Sequence, residues 1–271
     1  MAAGVAGSAD LSNLYDHIGG NYRSTRQPDP RIAALIDEAL GDARSVVNVG
    51  AGTGAYEPTD REVLAVEPSE TMITQRPRRS APVVQASAEE LPLPDDSFDA
   101  GLAVNTVQHW TDLRAGLREL RRVTRKWIVI FLRDPRSGVP FWLVEDYLPA
   151  LDPSARMSGV VQTIERKLRP VTALPVRLPR DCVDGLFSAY WGRPEMYLDS
   201  EVRRNISNFR ACGRRRPHRR SCASGSRPRI GRVGSAVRAS ALCPRARPRS
   251  PAPDRRTVVT RRVRKTAAAA S

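Results

Sequence analysis

A short β-branched run that empties into a glycine loop, Val46-Val47-Asn48-Val49-Gly50-Ala51-Gly52-Thr53-Gly54, constrains this chain more than any other feature. Strand-like and helix-like periods alternate around it, the pattern of an α/β sheet. In a parallel sheet such a junction lies at the carboxyl edge of the strands, where ligands bind. Glycine suits it because it lacks Cβ and tolerates positive φ, so the backbone can come close to a ligand. Strands are expected at 45–49, 63–66, 83–84, 98–104 and 127–132. Ile32, Leu35, Ile36 and Leu40 share one face of a helix that Gly41 ends. Leu113, Leu117, Leu120 and Val123 mark a second helix. Farther on, 171–178 reads as a sixth strand that Pro175 confines to an edge or a bulge. Helical patterns cover 141–148, 181–190 and 201–209.

Two companions of the glycine loop follow in order. Glu67 closes the strand Val63-Leu64-Ala65-Val66, where a carboxylate can accept both hydroxyls of a ribose. Ser87-Ala88-Glu89-Glu90-Leu91-Pro92 follows the third strand and is placed to pass beside an adenine. Each feature alone also fits a bland reading: a plain turn, a surface carboxylate, an ordinary loop. A nicotinamide dehydrogenase is disfavoured. Its fingerprint wants a glycine at Ala55 and an acid about 20 residues on, and Glu67 follows Gly54 by only thirteen positions. With Pro58 between them, the first crossover helix should be very short.

Together, the three segments resemble class I S-adenosylmethionine-dependent methyltransferases, in particular the small-molecule methyltransferase-domain group, over about residues 12–135. The resemblance implies a Rossmann-like sheet with helices on both faces: six parallel strands and an antiparallel last strand between strands five and six. It implies S-adenosyl-L-methionine as cofactor. Gly50, Gly52 and Gly54 would pass its methionine and ribose portion, Glu67 would hold the ribose, and Ala88 beside Ser87 would contact adenine. Asn105 would lie near the methionine end and the substrate. Tyr15 and Tyr22-Arg23 resemble the family's N-terminal lid. The family usually carries an acid where this chain has Asn48, to bind the methionine ammonium; an amide keeps the acceptor oxygen but loses the charge.

The sulfonium is already a good leaving group, so the task is to hold an acceptor in line and exclude water. A catalytic base is optional. His109, in Val107-Gln108-His109-Trp110, is the candidate, against the alternative of a structural or cofactor-lining histidine. Trp110 reads first as a packing wall. Tyr190 and Trp191 read as core aromatics before they read as an acceptor pocket. No metal-ligand cluster, Ser-His-Asp order or Walker loop is legible, and no metal is expected.

The net charge of +15 is uneven. Residues 211–271 hold 18 of the 44 basic residues and one of the 29 acids, Asp254, leaving 26 bases and 28 acids in 1–210. The basicity therefore belongs to the tail, and the expected organisation is a domain over 1–210 (core about 30–135, cover and sixth strand about 136–210) plus a disordered Arg/Pro-rich tail. Such a tail fits either a nucleic-acid-binding arm or a GC-rich gene read out of frame after about Phe209-Arg210, and its arginine-dominated composition favours the second. Nothing in it resembles the family's last strand, which is expected to be missing, leaving an aggregation-prone slot beside strand five. Cys182, Cys212, Cys222 and Cys243 match no common zinc spacing and imply no disulfide framework. The N-terminus lacks the charged and apolar regions of a secretory signal, and no apolar run is long enough to span a bilayer. A cytoplasmic enzyme acting on a small-molecule methyl acceptor is the leading expectation, without membrane attachment. A nucleic-acid methyltransferase using the tail, and a cofactor-binding protein without activity, are the alternatives. Acceptor and oligomeric state are not legible.

Overall fold

The computed structural model describes residues 22–137, 141–209 and 255–263. In chain order these form α1 (Tyr22–Thr25), α2 (Pro30–Leu40), β1 (Ser45–Val49), β2 (Glu62–Val66), α3 (Glu70–Thr74), β3 (Val83–Val84) and β4 (Phe98–Val104). There follow α4 (Leu113–Val123), β5 (Thr124–Arg133), α5 (Ser154–Lys167), β6 (Thr172–Arg177), α6 (Ser200–Arg204) and β7 (Arg255–Arg262). The strands make one seven-stranded sheet in the order β3-β2-β1-β4-β5-β7-β6. β1 to β5 pair in parallel, and β7 runs antiparallel to both β5 and β6.

Side-chain alternation along the strands sorts the core into two layers. Val47, Val49, Ile128, Ile130 and Val259 pack with Leu117 and Leu120 of α4 and with Met157, Val161 and Ile164 of α5. Val46, Val129, Phe131 and Val258 pack on the other face with Ile32, Ile36 and Leu40 of α2. Both sides of the sheet are thus covered, as parallel pairing requires. α2 begins with Asp29 accepting from Arg31 N and with Pro30 in its first turn, and it ends at Gly41 with φ 57°. Leu35, expected on its apolar face, is 40% exposed instead.

The expected loss of the last strand is corrected. β7 fills the slot, pairing from Trp127↔Arg262 to Arg133↔Arg256 on one side and from Thr172↔Thr260 to Arg177↔Arg255 on the other. Four β-branched residues, Thr257-Val258-Val259-Thr260, are enough, because the backbones of two neighbours supply the hydrogen bonds. Arginines on both flanks hid this signal. A domain boundary at 210 and an open slot beside β5 are overturned with it, as is disorder across the whole of 211–271; residues 210–254 and 264–271 lie outside those described. Pro175 does sit on an edge strand, since β6 ends the sheet.

Three helix expectations change. Residues 181–190 form turns, tied to α1 by a bridge between Arg26 and Asp184. Within 141–148 the described helix is a π turn at Leu143–Tyr147, and within 201–209 α6 ends at Arg204. Between β1 and β2 there is no helix at all, only turns, in keeping with Pro58.

β7 carries one uncompensated cost. The Arg261 side chain falls on the α4 side beside Arg121; the residue is 6% exposed, and its Nε and Nη1 have no hydrogen-bond partner. Burial, followed by repulsion from Arg121, lowers its pKa. Replacing a poorly compensated buried ion by an apolar group of similar length commonly stabilises a fold by about 1–4 kcal/mol. Arg261→Met is therefore expected to raise the thermal midpoint by several degrees, at about 2–4 °C per kcal/mol for this size. An unchanged or lower midpoint in a thermal melt contradicts this placement of β7.

Candidate active site

The carboxyl ends of β1, β2 and β4 converge on a cavity of about 250 Å³. The glycine loop forms one wall. Gly50, Gly52 and Gly54 adopt φ of 72°, 55° and 84°. At Gly50 an added Cβ would sit 2.0 Å from Thr106 Oγ1, so the loop seats directly on the segment after β4. Gly52 lines the cavity, and an added Cβ there would meet nothing within 4 Å, so its positive φ rather than crowding is what favours glycine.

Glu67 lines the cavity at the tip of β2, 7% exposed. Its Oε2 accepts from Gly52 N at 2.7 Å and its Oε1 from Ser69 N at 3.0 Å. One carboxylate thereby ties the glycine loop to the turn that caps α3. Ser87, Ala88 and Glu89 lie on the far wall with Met72, Trp110 and Thr111. Glu89 holds that wall by accepting from Thr111 N and Asp112 N. Tyr22 closes the top, and its hydroxyl accepts from Arg26 Nη1 at 2.6 Å. Burial raises the Tyr22 pKa, so the phenol stays neutral. Arg26 in turn pairs with the fully buried Asp184 at 2.6 Å, and Asp184 also accepts from Tyr56 at 2.9 Å. This anchors α1 to the body. Tyr15 lies outside the described residues.

Two asparagines complete the floor. Asn48 donates Nδ2 to Glu57 Oε1 at 3.2 Å, and its Oδ1 is buried without a partner. Glu57 is itself held by Arg76 at 2.8 Å, with both side chains below 10% exposed. Asn105 follows β4 with φ 51°, a left-handed conformation that asparagine tolerates better than most residues. Its Oδ1 accepts from Arg256 Nη1 of β7 at 2.7 Å, and its Nδ2 is buried without a partner.

His109 lines the same cavity. Burial, then the positive charges of Arg156 and Arg26, lower its pKa to about 3. The imidazole is therefore neutral at neutral pH. Since an unfolded histidine titrates near 6.5, the native state binds fewer protons between about pH 3 and 6.5, and the stability this gives is present above 6.5 and lost as pH falls. His109→Gln should therefore lose less stability between pH 7.5 and 5 than the parent, by about 1–2 kcal/mol. Denaturant melts at the two pH values check this, and identical losses in both proteins would contradict it.

Of the sequence-selected residues, Asn48, Gly50, Gly52, Glu67, Ser87, Ala88, Asn105, His109 and Tyr22 line this cavity, with Gly54 shaping the loop behind it. Tyr190 and Trp191 do not. Tyr190 packs on Tyr197, ring centroids 5.5 Å apart, and Trp191 donates to Leu178 O. Asp184 and Arg256 were not legible, because each reaches its partner across more than 150 residues, and Arg26, Glu57 and Arg76 were missed although Glu57 lies nine residues from Asn48 and Arg26 four from Tyr22. The helix α5 was missed although Met157, Val161 and Ile164 carry its period. Cys182 is buried, its thiol pushed up to about 12, which makes it inert. No group of three metal-ligating side chains occurs among the described residues.

An open parallel sheet with a bare glycine turn after β1 and a carboxylate closing β2 defines an adenosine-binding α/β protein. Residues 47–130 match the model of the methyltransferase domain family. A solved structure titled as a "Putative methyltransferase from antibiotic biosynthesis pathway" of Anabaena variabilis is 33% identical, with a TM-score of 0.62 over 69% of this chain and 81% of that one. A demethylmenaquinone methyltransferase of Mycolicibacterium vanbaalenii is 34% identical over 159 residues, 55% of this chain and 65% of that protein. A rice (Oryza sativa subsp. japonica) chloroplastic 2-methyl-6-phytyl-1,4-hydroquinone methyltransferase is 31% identical over 146 residues, 49% of this chain and 40% of that protein. The chain belongs to the class I S-adenosylmethionine-dependent methyltransferases. It matches less than two thirds of the length of these two quinone-methylating relatives.

The residues present suit S-adenosylmethionine. Gly50 and Gly52 bring backbone to the lining, Glu67 offers carboxylate oxygens for a diol, and Ala88, Met72 and Trp110 give apolar walls for a base. Asn48 and Asn105 bring polar side chains to the lining.

Proposed function

We propose that this chain transfers a methyl group from S-adenosylmethionine to a small hydroxylated aromatic acceptor of the quinol type. The observation that carries the cofactor half is the Glu67 carboxylate, buried at the end of β2 and bonded to Gly52 N beside the cavity. The acceptor class is supported by the relatives, two kinds of which are named for methylating quinones or hydroquinones.

When bound, the cofactor supplies an electrophilic methyl on a sulfonium. Glu67 holds the ribose; Ser87 and Ala88 flank the adenine; Asn48, Gly50 and Gly52 hold the methionine portion; Tyr22 covers the top and limits water. His109 serves as a neutral hydrogen-bond acceptor for the acceptor's hydroxyl. With a pKa near 3 it is a weak resting base, so it takes the proton only as the ring oxygen becomes acidic on reaction. The pH profile of turnover is accordingly expected to show no step near 6.5 that His109→Gln abolishes.

The nucleic-acid alternative is disfavoured in the described part of the tail, where Arg256 and Arg261 are both buried in the sheet rather than displayed. No described helix is long and apolar enough to cross a membrane; we place the enzyme in the cytoplasm. Titration calorimetry with S-adenosylmethionine and its demethylated product, followed by transfer of a labelled methyl group to demethylmenaquinol and to 2-methyl-6-phytyl-1,4-hydroquinol, tests both halves. Folded protein that ignores the cofactor at millimolar concentration overturns the first. Binding without transfer to either quinol overturns the second.

A further inference from the structure

The glycine turn after β1 is not followed by a helix. In a strand–turn–helix unit the first turn of the helix holds the loop that enters it. Here residues 55–61 make only turns and bends, so the loop lacks that support. A buried ion pair stands behind it instead. Arg76, just past the end of α3, donates Nη2 to Glu57 Oε2 at 2.8 Å and to Glu57 Oε1 at 2.9 Å, and the two side chains are 4% and 7% exposed. The same guanidinium donates Nη1 to Gly52 O at 3.3 Å and Nη2 to Ala81 O at 3.0 Å, just before β3. The pair runs close against the turn: a Cβ added at Gly54 would sit 3.0 Å from Glu57 Oε2 and 3.1 Å from Arg76 Nη1. Gly52 is therefore gripped at both ends by opposite charges, its N–H by the Glu67 carboxylate at 2.7 Å and its carbonyl by Arg76. A buried ion pair seldom stabilises a fold more than apolar residues of similar size do, so stability alone gives little reason for this one.

We infer that Arg76, braced by Glu57, is a positioning residue for the cofactor turn, and does here what the first turn of a crossover helix does in a strand–turn–helix unit. It fixes Gly52 from the carbonyl side and ties the turn to the chain entering β3. The turn is then set in its ligand-ready shape before any ligand arrives, which removes an ordering cost from binding. This inference rests on the cavity being the S-adenosylmethionine site.

The test separates holding the turn from holding the fold. Titration calorimetry with S-adenosylmethionine and its demethylated product, thermal melts, and ligand-free amide hydrogen exchange would compare the full-length parent with Arg76→Lys and with the double variant Glu57→Gln/Arg76→Met. The double variant leaves no charge stranded, so it should melt within a few degrees of the parent. It is expected to bind both ligands at least about 20-fold more weakly, and its Gly52 and Gly54 amides should exchange about tenfold faster while those of Val47 and Val49 do not change. Arg76→Lys keeps a charge for Glu57, but a single ammonium cannot reach Gly52 O and Ala81 O as the guanidinium fork does; binding should fall only about fivefold. If the double variant fails to fold, Arg76→Lys still decides. A folded variant that binds within twofold of the parent, with unchanged exchange at Gly52 and Gly54, overturns the inference. So does a loss of affinity matched by equally faster exchange in β1, which marks a purely structural pair. A parent that binds neither ligand overturns the cofactor reading, and the exchange rates by themselves then decide whether the pair holds the turn.

Discussion

Glu67→Ala is expected to lower the affinity for S-adenosylmethionine by about 100-fold or more while leaving the chain folded. Two effects add. The ribose hydroxyls lose their charged acceptor, and hydrogen bonds to charged groups are worth about 1.5–3 kcal/mol each. At about 1.4 kcal/mol per tenfold, a pair of them accounts for two decades or more. The glycine loop also loses its tether, because the same carboxylate holds Gly52 N at 2.7 Å and Ser69 N at 3.0 Å. Glu67→Gln should fall between, since its amide nitrogen must oppose either Gly52 N or Ser69 N, both of which are donors. Calorimetry with the cofactor and with its demethylated product reads the effect, and circular dichroism confirms the fold. A Glu67→Ala protein within threefold of the parent removes this carboxylate from the site.

A chain ending at Asp254 is expected to lose cooperative unfolding and to aggregate. Without β7, the outward backbone groups of β5 and β6 have no partner, and buried unpaired groups of this kind are rare because each is costly. The loss also strips Val258 and Val259, exposed 1% and 2%, out of both core layers at once. A domain of this size has about 5–15 kcal/mol of net stability, and losing a central strand exceeds that. Val259→Asp makes the same point with one substitution, placing a carboxylate among Leu117, Ile130 and Val161. Size-exclusion chromatography and thermal melts check both. A truncated chain that stays monomeric and melts within a few degrees of the parent would show that this strand does not close the sheet.

The cavity was legible wherever its parts lie next to a local signal. Strand-to-glycine and strand-to-acid junctions are written in consecutive residues, so Gly50, Gly52 and Glu67 could be read without a fold, whereas Ala88 and Asn105 came from the family resemblance. Arg256 could not: it sits 151 residues from the Asn105 it touches, inside a run whose composition looks like a solvated arm. Asp184 is 158 residues from Arg26, and the segment around it looked helical because its apolar spacing fits a helix as well as a packed turn. Leu35 shows the reverse error, an apolar residue on the expected face that the sheet does not reach.

What the sequence determined alone is the alternation of strands and helices, the carboxyl-edge turn that exposes backbone to a ligand, and the acid beside it. These depend on backbone geometry and short-range pattern, which neighbouring residues dictate. Only the tertiary structure decided that a short β-branched stretch among arginines becomes a central strand. It also decided which way two asparagine amides face and how far the basicity of one histidine falls. Each of those depends on charges and hydrogen-bonding groups contributed by elements distant in the chain, whose effect exists only once folding has removed the water between them.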